Sequence, residues 1–187
     1  MDNSILTRDI QEKLILVDEE DKEIGSVDKL ESHIGDGLLH RAFSIFLFDP
    51  DGKLLIQKRS PTKMLWPMYW SNSCCSHPRS EESTNKAANR RIQEELGVKT
   101  NLKFLYKFIY RAKYEDVGTE YENCWVYVGN FNGFVDINTD EISDYRFLSP
   151  SQLTNDMQAN PEIYSPWFKL EWKHICKNFQ NELPGRN

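Results

Sequence analysis

The distribution of apolar and polar positions predicts four strands in the first third of the chain. Residues 13–18 form a short apolar run, an acidic turn follows, and residues 24–27 are placed to return as a hairpin partner. Residues 41–48 are almost continuously apolar, which is typical of a strand buried on both faces. The turn sequence Asp-Pro-Asp-Gly at 49–52 predicts a hairpin between this strand and residues 53–59.

The middle of the chain combines loops with the clearest helix. Residues 60–78 are predicted to form a long ordered loop, and the glycine-containing segment 32–38 a shorter one. From Glu82 to Leu96, apolar residues recur at helical spacing and acidic residues crowd the start, while Gly97 supplies a stop. The sequence therefore predicts a helix over this segment.

The remaining pattern favours mixed strands with few helices. Further strand-like stretches lie at residues 102–111, 121–128 and 145–148. Pro150 begins a helical or irregular C-terminal third, in which Trp167, Leu170 and Ile175 are placed to line one helix face. With no repeat and no linker, we expect one α/β domain of the α+β kind, with a mixed sheet, over residues 1–187.

Composition and charge narrow the class of protein. Of 187 residues, 39% are hydrophobic and 28% charged, as in an ordinary folded protein. The longest apolar run, 42–48, is far shorter than the roughly 20 residues of a membrane span, and the N-terminus lacks a signal pattern. A net charge of −6 disfavours nonspecific electrostatic binding of nucleic acid. An anionic ligand must therefore bind at a local cluster of basic residues. We expect a cytoplasmic protein with no membrane or nucleic-acid partner.

The cysteines indicate reduced thiols. Their positions are 74, 75, 124 and 176, with no CxxC spacing, which fits neither a disulfide framework nor a zinc knuckle. Cys74, Cys124 and Cys176 are interpreted as small buried hydrophobes. Cys75 has the same simple interpretation, but a chemical role is also open to it.

Residues 76–98 match the spacing of a diphosphate-binding motif, the Nudix box. The matching positions are Glu82, Arg90, Ile92, Glu94, Glu95, Gly97 and Val98. Ser76 replaces the first glycine of the box, and Arg91 replaces the first glutamate of its helical cluster. In such a box a loop leads into a helix whose carboxylates hold Mg²⁺ against a diphosphate. The missing carboxylate weakens the interpretation as a hydrolase.

A second motif precedes the box. Residues 70–78 contain Ser-Asn-x-x-Cys-x-His-Pro, and with it the chain resembles the type 1 isopentenyl-diphosphate delta-isomerases, a Nudix-fold family. Further matching residues, spread over nearly the whole chain, are His33, His40, Arg59, Lys63, Arg91, Glu95, Tyr110-Arg111-Ala112, Glu120, Glu122, Asn123 and Ser165-Pro166-Trp167. The resemblance implies a Nudix-like mixed-sheet α/β/α sandwich that interconverts isopentenyl diphosphate and dimethylallyl diphosphate in isoprenoid biosynthesis.

Histidines and glutamates form a candidate metal site. His33, His40 and His77 stand beside predicted strands, where each alone would be an ordinary surface or hydrogen-bonding histidine. Glu120 and Glu122 are two residues apart on a strand and so point to the same face. Three imidazoles and two carboxylates suit Mn²⁺, Zn²⁺ or Mg²⁺, and the resemblance implies that these five residues converge.

The resemblance implies acid and base roles for three residues. Cys75 would be an essential acid/base thiol, for which His77, a nearby metal and a polar loop would each favour the thiolate. Its neighbour Cys74 must then point elsewhere. Metal-bound Glu122 would deliver a proton to the terminal alkene carbon with support from Tyr110, otherwise an ordinary strand aromatic, and Cys75 would remove a proton on the opposite face.

The resemblance also assigns residues to the two ends of the substrate. The basic residues assigned to the diphosphate are Lys29, Arg59, Lys63 and Arg91. Alternatively, Arg91 simply pairs with Glu95 one helical turn away. Glu95 and the backbone carbonyl of Cys75 are expected to hold a Mg²⁺ that bridges to the diphosphate. Trp167 would shield a carbocation-like state from water, with core packing beside Pro166 as its simpler role.

Two other functions stay open on the residues alone. One is a Nudix hydrolase of a nucleoside or other diphosphate. Arg91 makes this function less favoured, because it stands where the box has a metal-binding glutamate. The other is a non-catalytic diphosphate-binding or metal-binding module. The presence of both Cys75 and Glu122 argues against this function, because binding alone requires neither residue. The chain is expected to act as a monomer on a small-molecule diphosphate.

Overall fold

A computed structural model describes residues 12–182 of the chain. The strands are β1 (Lys13–Val17), β2 (Glu23–Asp28), β3 (His40–Phe48), β4 (Leu54–Arg59), β5 (Trp70–Ser71), β6 (Cys74–Ser76), β7 (Leu102–Tyr114), β8 (Gly118–Asn130) and β9 (Ile142–Leu148). The helices are α1 (Lys29–His33), α2 (Thr84–Leu96), α3 (Pro150–Ala159) and α4 (Pro166–Asn178). Short 3₁₀ turns follow the last two helices at Pro161–Ile163 and Gln180–Glu182.

Strand β3 lies at the centre of a mixed sheet. One of its edges pairs with β8 in parallel along its whole length, from His40 opposite Glu122 to Phe48 opposite Asn130. Its other edge is shared in antiparallel pairing by β1 at the start, β6 in the middle and β4 at the end. Strand β2 extends the sheet from β1, β7 extends it from β8, and β5 and β9 pair with β4.

Both faces of β3 are buried, as the sequence predicts, and each belongs to its own apolar cluster. One cluster joins the sheet to α4 and includes Ala42, Phe46, Phe48, Phe168, Trp172 and Ile175. The other joins the sheet to α2 and includes Phe43, Ile45, Leu47, Ala88, Ile92 and Leu96. Helices therefore cover opposite faces of the mixed sheet, and the expected α/β sandwich is confirmed.

The expected hairpin of β1 and β2 and the expected central helix are both confirmed. Helix α2 ends at Leu96 because Gly97 adopts the left-handed conformation, with φ of 67°, and donates its N–H to the Gln93 carbonyl. The helix begins at Thr84, two residues later than predicted. Glu82 lies ahead of it and accepts hydrogen bonds from Arg90 at 2.7 and 2.9 Å.

Two sequence expectations are wrong in part. The turn after β3 forms, with Gly52 donating to the Asp49 carbonyl at 2.9 Å, but β3 and β4 pair only where Phe48 faces Leu54. Beyond that point β6 occupies the edge of β3. The segment 60–78 is consequently not all loop, because it contains β5 and β6.

Leu170 is not on the buried face of α4. It is 51% exposed, whereas Trp167 and Ile175 are buried as expected. The buried face also contains Phe168, Glu171 and Trp172. Leu170 lies on the side of the helix away from the centre of that face. Within residues 12–182, no helix combines the length and apolar character needed to cross a bilayer.

Candidate active site

A cavity of about 430 Å³ gathers most of the predicted site. Eleven of the thirteen predicted residues line it: Lys29, His33, Arg59, Lys63, Cys75, His77, Arg91, Tyr110, Glu120, Glu122 and Trp167. The other two, His40 and Glu95, are buried and contact lining residues. Residues spread over the chain thus meet in one place.

Three imidazoles and two carboxylates converge in this cavity wall. One ligand atom from each of His33, His40, His77, Glu120 and Glu122 lies within 4.8 Å of all the others. His33 ends α1, His40 begins β3 and His77 follows β6, while both glutamates lie on β8. The parallel register sets His40 opposite Glu122, which explains why residues so far apart in sequence come together.

The donors are oriented for a cation. His33 Nδ1 donates to the Lys29 carbonyl at 2.6 Å, and His40 Nδ1 donates to the Leu38 carbonyl at 2.7 Å. Since a carbonyl only accepts, each Nε2 keeps its lone pair for the cluster. Among the described residues, buried His40 Nε2 and Glu120 Oε2 have no aligned hydrogen-bond partner. Buried lone pairs without a hydrogen-bond partner fit a divalent metal.

Burial favours the neutral, metal-binding form of two of the three histidines, His40 and His77. Burial, reinforced by His33, lowers the pKa of His40 to about 4. Burial also lowers the pKa of His77. For His33 burial acts in the same direction, but Glu120, 2.9 Å away, outweighs it and raises the pKa of His33. A neutral imidazole is the form that coordinates a metal.

The two glutamates have opposite proton affinities. Burial raises the pKa of Glu122, and the charge of Glu120 raises it further. Burial acts likewise on Glu120, but the neighbouring histidines outweigh it and lower the pKa of that carboxyl. Tyr110 donates its hydroxyl to Glu122 Oε2 at 2.7 Å. Of the two carboxyls, Glu122 therefore holds a proton more readily.

Adjacent cysteines on β6 have different surroundings. Cys74 packs in the cluster beneath α2, and Cys75 lines the cavity, as the alternation of a strand requires. Arg59 Nη1 lies 3.8 Å from the Cys75 sulfur. Burial nevertheless raises the pKa of Cys75 to about 12 against the effect of Arg59. The expectation that its surroundings favour the thiolate is wrong for the protein groups alone, because desolvation dominates.

Arg59 is fixed by the backbone that follows β4. Its guanidinium donates to the carbonyls of Leu65 at 2.8 Å and Trp66 at 3.0 Å. Trp66 has the left-handed φ of 47°, a strained conformation for a large side chain. The same guanidinium lies 5.2 Å from the centre of the Trp167 ring.

Arg91 is surrounded by carboxylates. It donates to Glu95 Oε1 from Nε at 2.9 Å and from Nη2 at 2.5 Å, so the alternative of helical pairing with Glu95 occurs. It also reaches Glu94 at 3.2 Å and Glu141 at 2.8 Å. Arg91 still lines the cavity. Glu141 was missed from the sequence, since nothing in its spacing relates it to Arg91.

Trp167 is held by the serine and the asparagine of the Ser-Asn-x-x-Cys-x-His-Pro motif. Its Nε1–H lies 3.1 Å from Ser71 Oγ and 3.2 Å from Asn72 Oδ1. Trp167 is 2% exposed. Its indole ring packs in the apolar core and also lines the cavity. The Ser-Asn pair of the motif therefore orients the indole.

Comparison with known proteins places this fold and site in a class. Residues 38–168 match the NUDIX domain family. The crystal structure of a Deinococcus radiodurans protein has a TM-score of 0.72 at 23% identity, covering 87% of this chain and 98% of its own. The likeness to that structure concerns the fold. The chain is a NUDIX-domain protein.

Two bacterial relatives specify the family further. Isopentenyl-diphosphate Delta-isomerase 1 of Photorhabdus laumondii is 42% identical over 174 residues, which are 92% of this chain and 99% of the relative. Isopentenyl-diphosphate Delta-isomerase of Serratia proteamaculans is 42% identical over 169 residues, which are 90% and 94% of the two chains. The chain belongs to the isopentenyl-diphosphate Delta-isomerase family.

Proposed function

We propose that the chain interconverts isopentenyl diphosphate and dimethylallyl diphosphate by a 1,3 proton transposition. The observation that carries this proposal is that a thiol, Cys75, and a carboxyl with high proton affinity, Glu122, line the same cavity as four cationic side chains. A binding module needs only the cations. Membership in the isomerase family supports the same reaction.

The protonation step belongs to Glu122. Its raised pKa keeps a proton available on the carboxyl, and Tyr110 holds one carboxyl oxygen by a hydrogen bond of 2.7 Å. The π electrons of the terminal alkene take that proton and form the new C–H bond. The positive charge then lies on the neighbouring tertiary carbon, and Glu122 is left as a carboxylate.

The deprotonation step belongs to Cys75. Its thiolate takes a proton from the CH₂ group beside the cationic carbon, and the released C–H electron pair forms the new double bond. A pKa near 12 makes that thiolate scarce but strongly basic. Arg59, at 3.8 Å from the sulfur, is placed to stabilise it. Exchange with solvent then returns one proton to Glu122 and removes one from Cys75.

Trp167 shields the cationic state. Its indole is held by Ser71 and Asn72, so the ring cannot turn away from the cavity. A desolvated aromatic face stabilises a cation by about 2 kcal/mol or more. Its burial also keeps water from capturing the carbon cation.

The diphosphate is expected to bind at the basic part of the cavity. The residues proposed to bind it are Lys29, Arg59, Lys63 and Arg91, all of which line the cavity. Arginine forks suit bidentate contacts with phosphate oxygens. On a chain of net charge −6, a local cluster of this kind provides the required attraction.

We propose that two divalent ions bind in this region. His33, His40, His77, Glu120 and Glu122 would hold one, of Mn²⁺, Zn²⁺ or Mg²⁺ type, and Glu95 with the Cys75 carbonyl would hold a Mg²⁺ shared with the diphosphate. These ions would supply Lewis-acid chemistry, orienting Glu122 and neutralising diphosphate charge.

We further infer a cytoplasmic enzyme that acts as a monomer. This chain supplies all the residues proposed for catalysis and binding, and Cys74, Cys75 and Cys124 are free thiols, as in a reducing compartment. Size-exclusion chromatography with light scattering tests the monomer, and a dimer of the active enzyme contradicts it.

One assay separates the isomerase from the hydrolase. The protein is incubated with Mg²⁺ and either isopentenyl diphosphate or a panel of nucleoside diphosphates. We expect conversion of the first to dimethylallyl diphosphate and no phosphate release from the panel. Release of phosphate from a nucleotide without isomerisation would establish the hydrolase instead.

A further inference from the structure

Glu141 connects two cations of the cavity that come from separate parts of the chain. One carboxylate oxygen accepts a hydrogen bond from Lys63 Nζ, and the other accepts one from Arg91 Nη2 at 2.8 Å. Lys63 lies after β4, Arg91 lies on α2, and Glu141 immediately precedes β9. Both cations are among the residues proposed to bind the diphosphate.

The backbone around Glu141 is fixed to both neighbouring segments. The N–H of Ser60 donates to the Glu141 carbonyl at 2.9 Å, and the N–H of Glu141 donates to the Asn138 carbonyl at 3.0 Å. The N–H of Asn138 in turn donates to the Glu95 carbonyl at 2.9 Å, near the end of α2. Glu141 therefore has a rigid base from which to hold the two cations.

The three charged side chains are mostly withdrawn from water. Their exposed fractions are 19% for Glu141, 24% for Lys63 and 16% for Arg91. Burial opposes ionisation of Glu141, but the two cations outweigh it and lower its pKa. A half-buried triad of this kind contributes little net stability, since desolvation offsets the attraction. The effect of the triad is instead to fix the positions of the Lys63 and Arg91 side chains.

The contacts of Glu141 are compatible with a bound diphosphate. An ammonium has three donors, and Glu141 takes one of those on Lys63. A guanidinium has five donors, and the four carboxylate contacts of Arg91 leave capacity for another acceptor. A phosphate oxygen can therefore bind to either cation without displacing Glu141.

We propose that Glu141 is a positioning residue, which holds Lys63 and Arg91 so that the diphosphate they bind sets the alkene against Glu122 and Cys75. This inference rests on the proposed function. A displacement of about 1 Å in a reacting group can cost about a hundredfold in rate. Removing Glu141 also removes a negative charge beside an anionic ligand, so binding of the ligand itself does not weaken. Removal of Glu141 is therefore expected to lower kcat rather than substrate affinity.

The test compares Glu141→Gln with Asp140→Asn. Asp140 lines the same cavity wall, and within residues 12–182 no ion pair of its carboxylate is found, so its substitution removes the same charge without the bridge. For Glu141→Gln we expect kcat for isopentenyl diphosphate to fall by about tenfold or more, with KM raised less than about threefold. For Asp140→Asn we expect both constants to change less than about threefold. Thermal unfolding confirms that both variants fold.

A double-mutant comparison tests whether Glu141 acts through Lys63. If Glu141 acts by holding that ammonium, Glu141→Gln should cost less in kcat when Lys63 is already methionine than in the parent. The same comparison is made in an Arg91→Gln background. Equal losses of kcat in the parent, Lys63→Met and Arg91→Gln backgrounds would overturn the proposal.

Other outcomes also overturn the positioning role. Equal loss of kcat in Asp140→Asn would indicate a general charge effect. A higher Mg²⁺ requirement in Glu141→Gln, as large as that of Glu95→Gln, would make Glu141 a metal ligand. An inactive parent protein would overturn the proposed function, whereas a fully active Glu141→Gln beside an active parent overturns only the role of Glu141.

Discussion

Cys74 and Cys75 are adjacent on β6, yet their side chains lie in separate environments. Cys74 is fully buried and packs with Ala87 and Ile92 in the cluster beneath α2. Cys75 lines the cavity, with Arg59 3.8 Å from its sulfur. Nearly identical sequence surroundings thus produce one packing cysteine and one cysteine available for chemistry.

Cys75→Ser should therefore abolish most turnover while the fold survives. A serine hydroxyl is far too weakly acidic to exchange protons at neutral pH, and general acid or base groups contribute about a hundredfold to ten-thousandfold. Steady-state conversion of isopentenyl diphosphate measures the loss, with thermal unfolding recorded alongside. Cys74→Ser is the matched control and should do far less. Cys75→Ser activity within about threefold of the parent would refute the role, and selective inactivation by Cys74→Ser would point to the other thiol.

Glu95→Gln should weaken Mg²⁺ and diphosphate binding together. Glu95 is 1% exposed and accepts hydrogen bonds from Arg91, which lines the cavity. Because one ion would bridge the carboxylate and the diphosphate, calorimetry with Mg²⁺ and inorganic pyrophosphate should show both affinities reduced by about tenfold or more. Glu94→Gln is the control, since Glu94 also pairs with Arg91 but is 41% exposed. Parent-like binding by Glu95→Gln would leave Glu95 as only a partner of Arg91.

Gly118→Ala should damage the histidine-glutamate cluster from a distance. A Cβ at Gly118 would lie 2.5 Å from the His33 carbonyl oxygen, so the end of α1 must shift. Overpacking costs about 1–3 kcal/mol, and a displaced His33 should weaken Mn²⁺ binding by about tenfold or more. At Gly133 a Cβ meets nothing within 4 Å, so Gly133→Ala is the control. Equal Mn²⁺ affinity in the two variants would contradict the prediction.

Glu171 should make stability depend on pH. Burial raises its pKa to about 8, against hydrogen bonds from Ser44 and Cys124. The unfolded chain loses this proton near pH 4.3, so between about pH 4.3 and 8 the folded state binds more protons. Wild-type stability therefore falls as pH rises through that window, by up to about 1.4 kcal/mol per pH unit from this group.

Glu171→Gln cannot ionise and should lack this contribution. Its urea midpoint relative to the parent should rise steadily between pH 5 and pH 8 and level off above. Midpoints at four pH values measure the difference. Parallel curves for the two proteins would show that Glu171 is not held protonated in the fold.

Local signals in the sequence predict a good part of the fold. The apolar run of β3 and the helical spacing of Ala88, Ile92 and Leu96 reflect direct burial, and all of these residues are inside. The helix stop at Gly97 is equally local. Strands β5 and β6 are too short for any periodicity to reveal. The exposure of Leu170 depends on how α4 is rotated against the sheet, which a partial apolar pattern does not determine.

The candidate site likewise contains residues that the sequence reveals and contacts that it does not. Residues inside the two motifs, such as Cys75 and Glu95, are visible from spacing and family resemblance. The contact of Glu141 with Lys63 and Arg91 is visible only in three dimensions, since it joins residues 78 and 50 positions apart. The raised pKa of Cys75 likewise depends on burial, which sequence neighbours do not set.

The most direct test of the account follows the transferred proton. Isopentenyl diphosphate is converted in D₂O with Mg²⁺, and the product is examined by NMR together with an assay for released phosphate. We expect dimethylallyl diphosphate with at least one deuterium in the methyl group formed from the terminal alkene carbon, no phosphate release, and no labelled product from Cys75→Ser or from chelated enzyme. An unlabelled product, full turnover after metal removal, or release of phosphate or diphosphate in place of isomerisation would contradict the account.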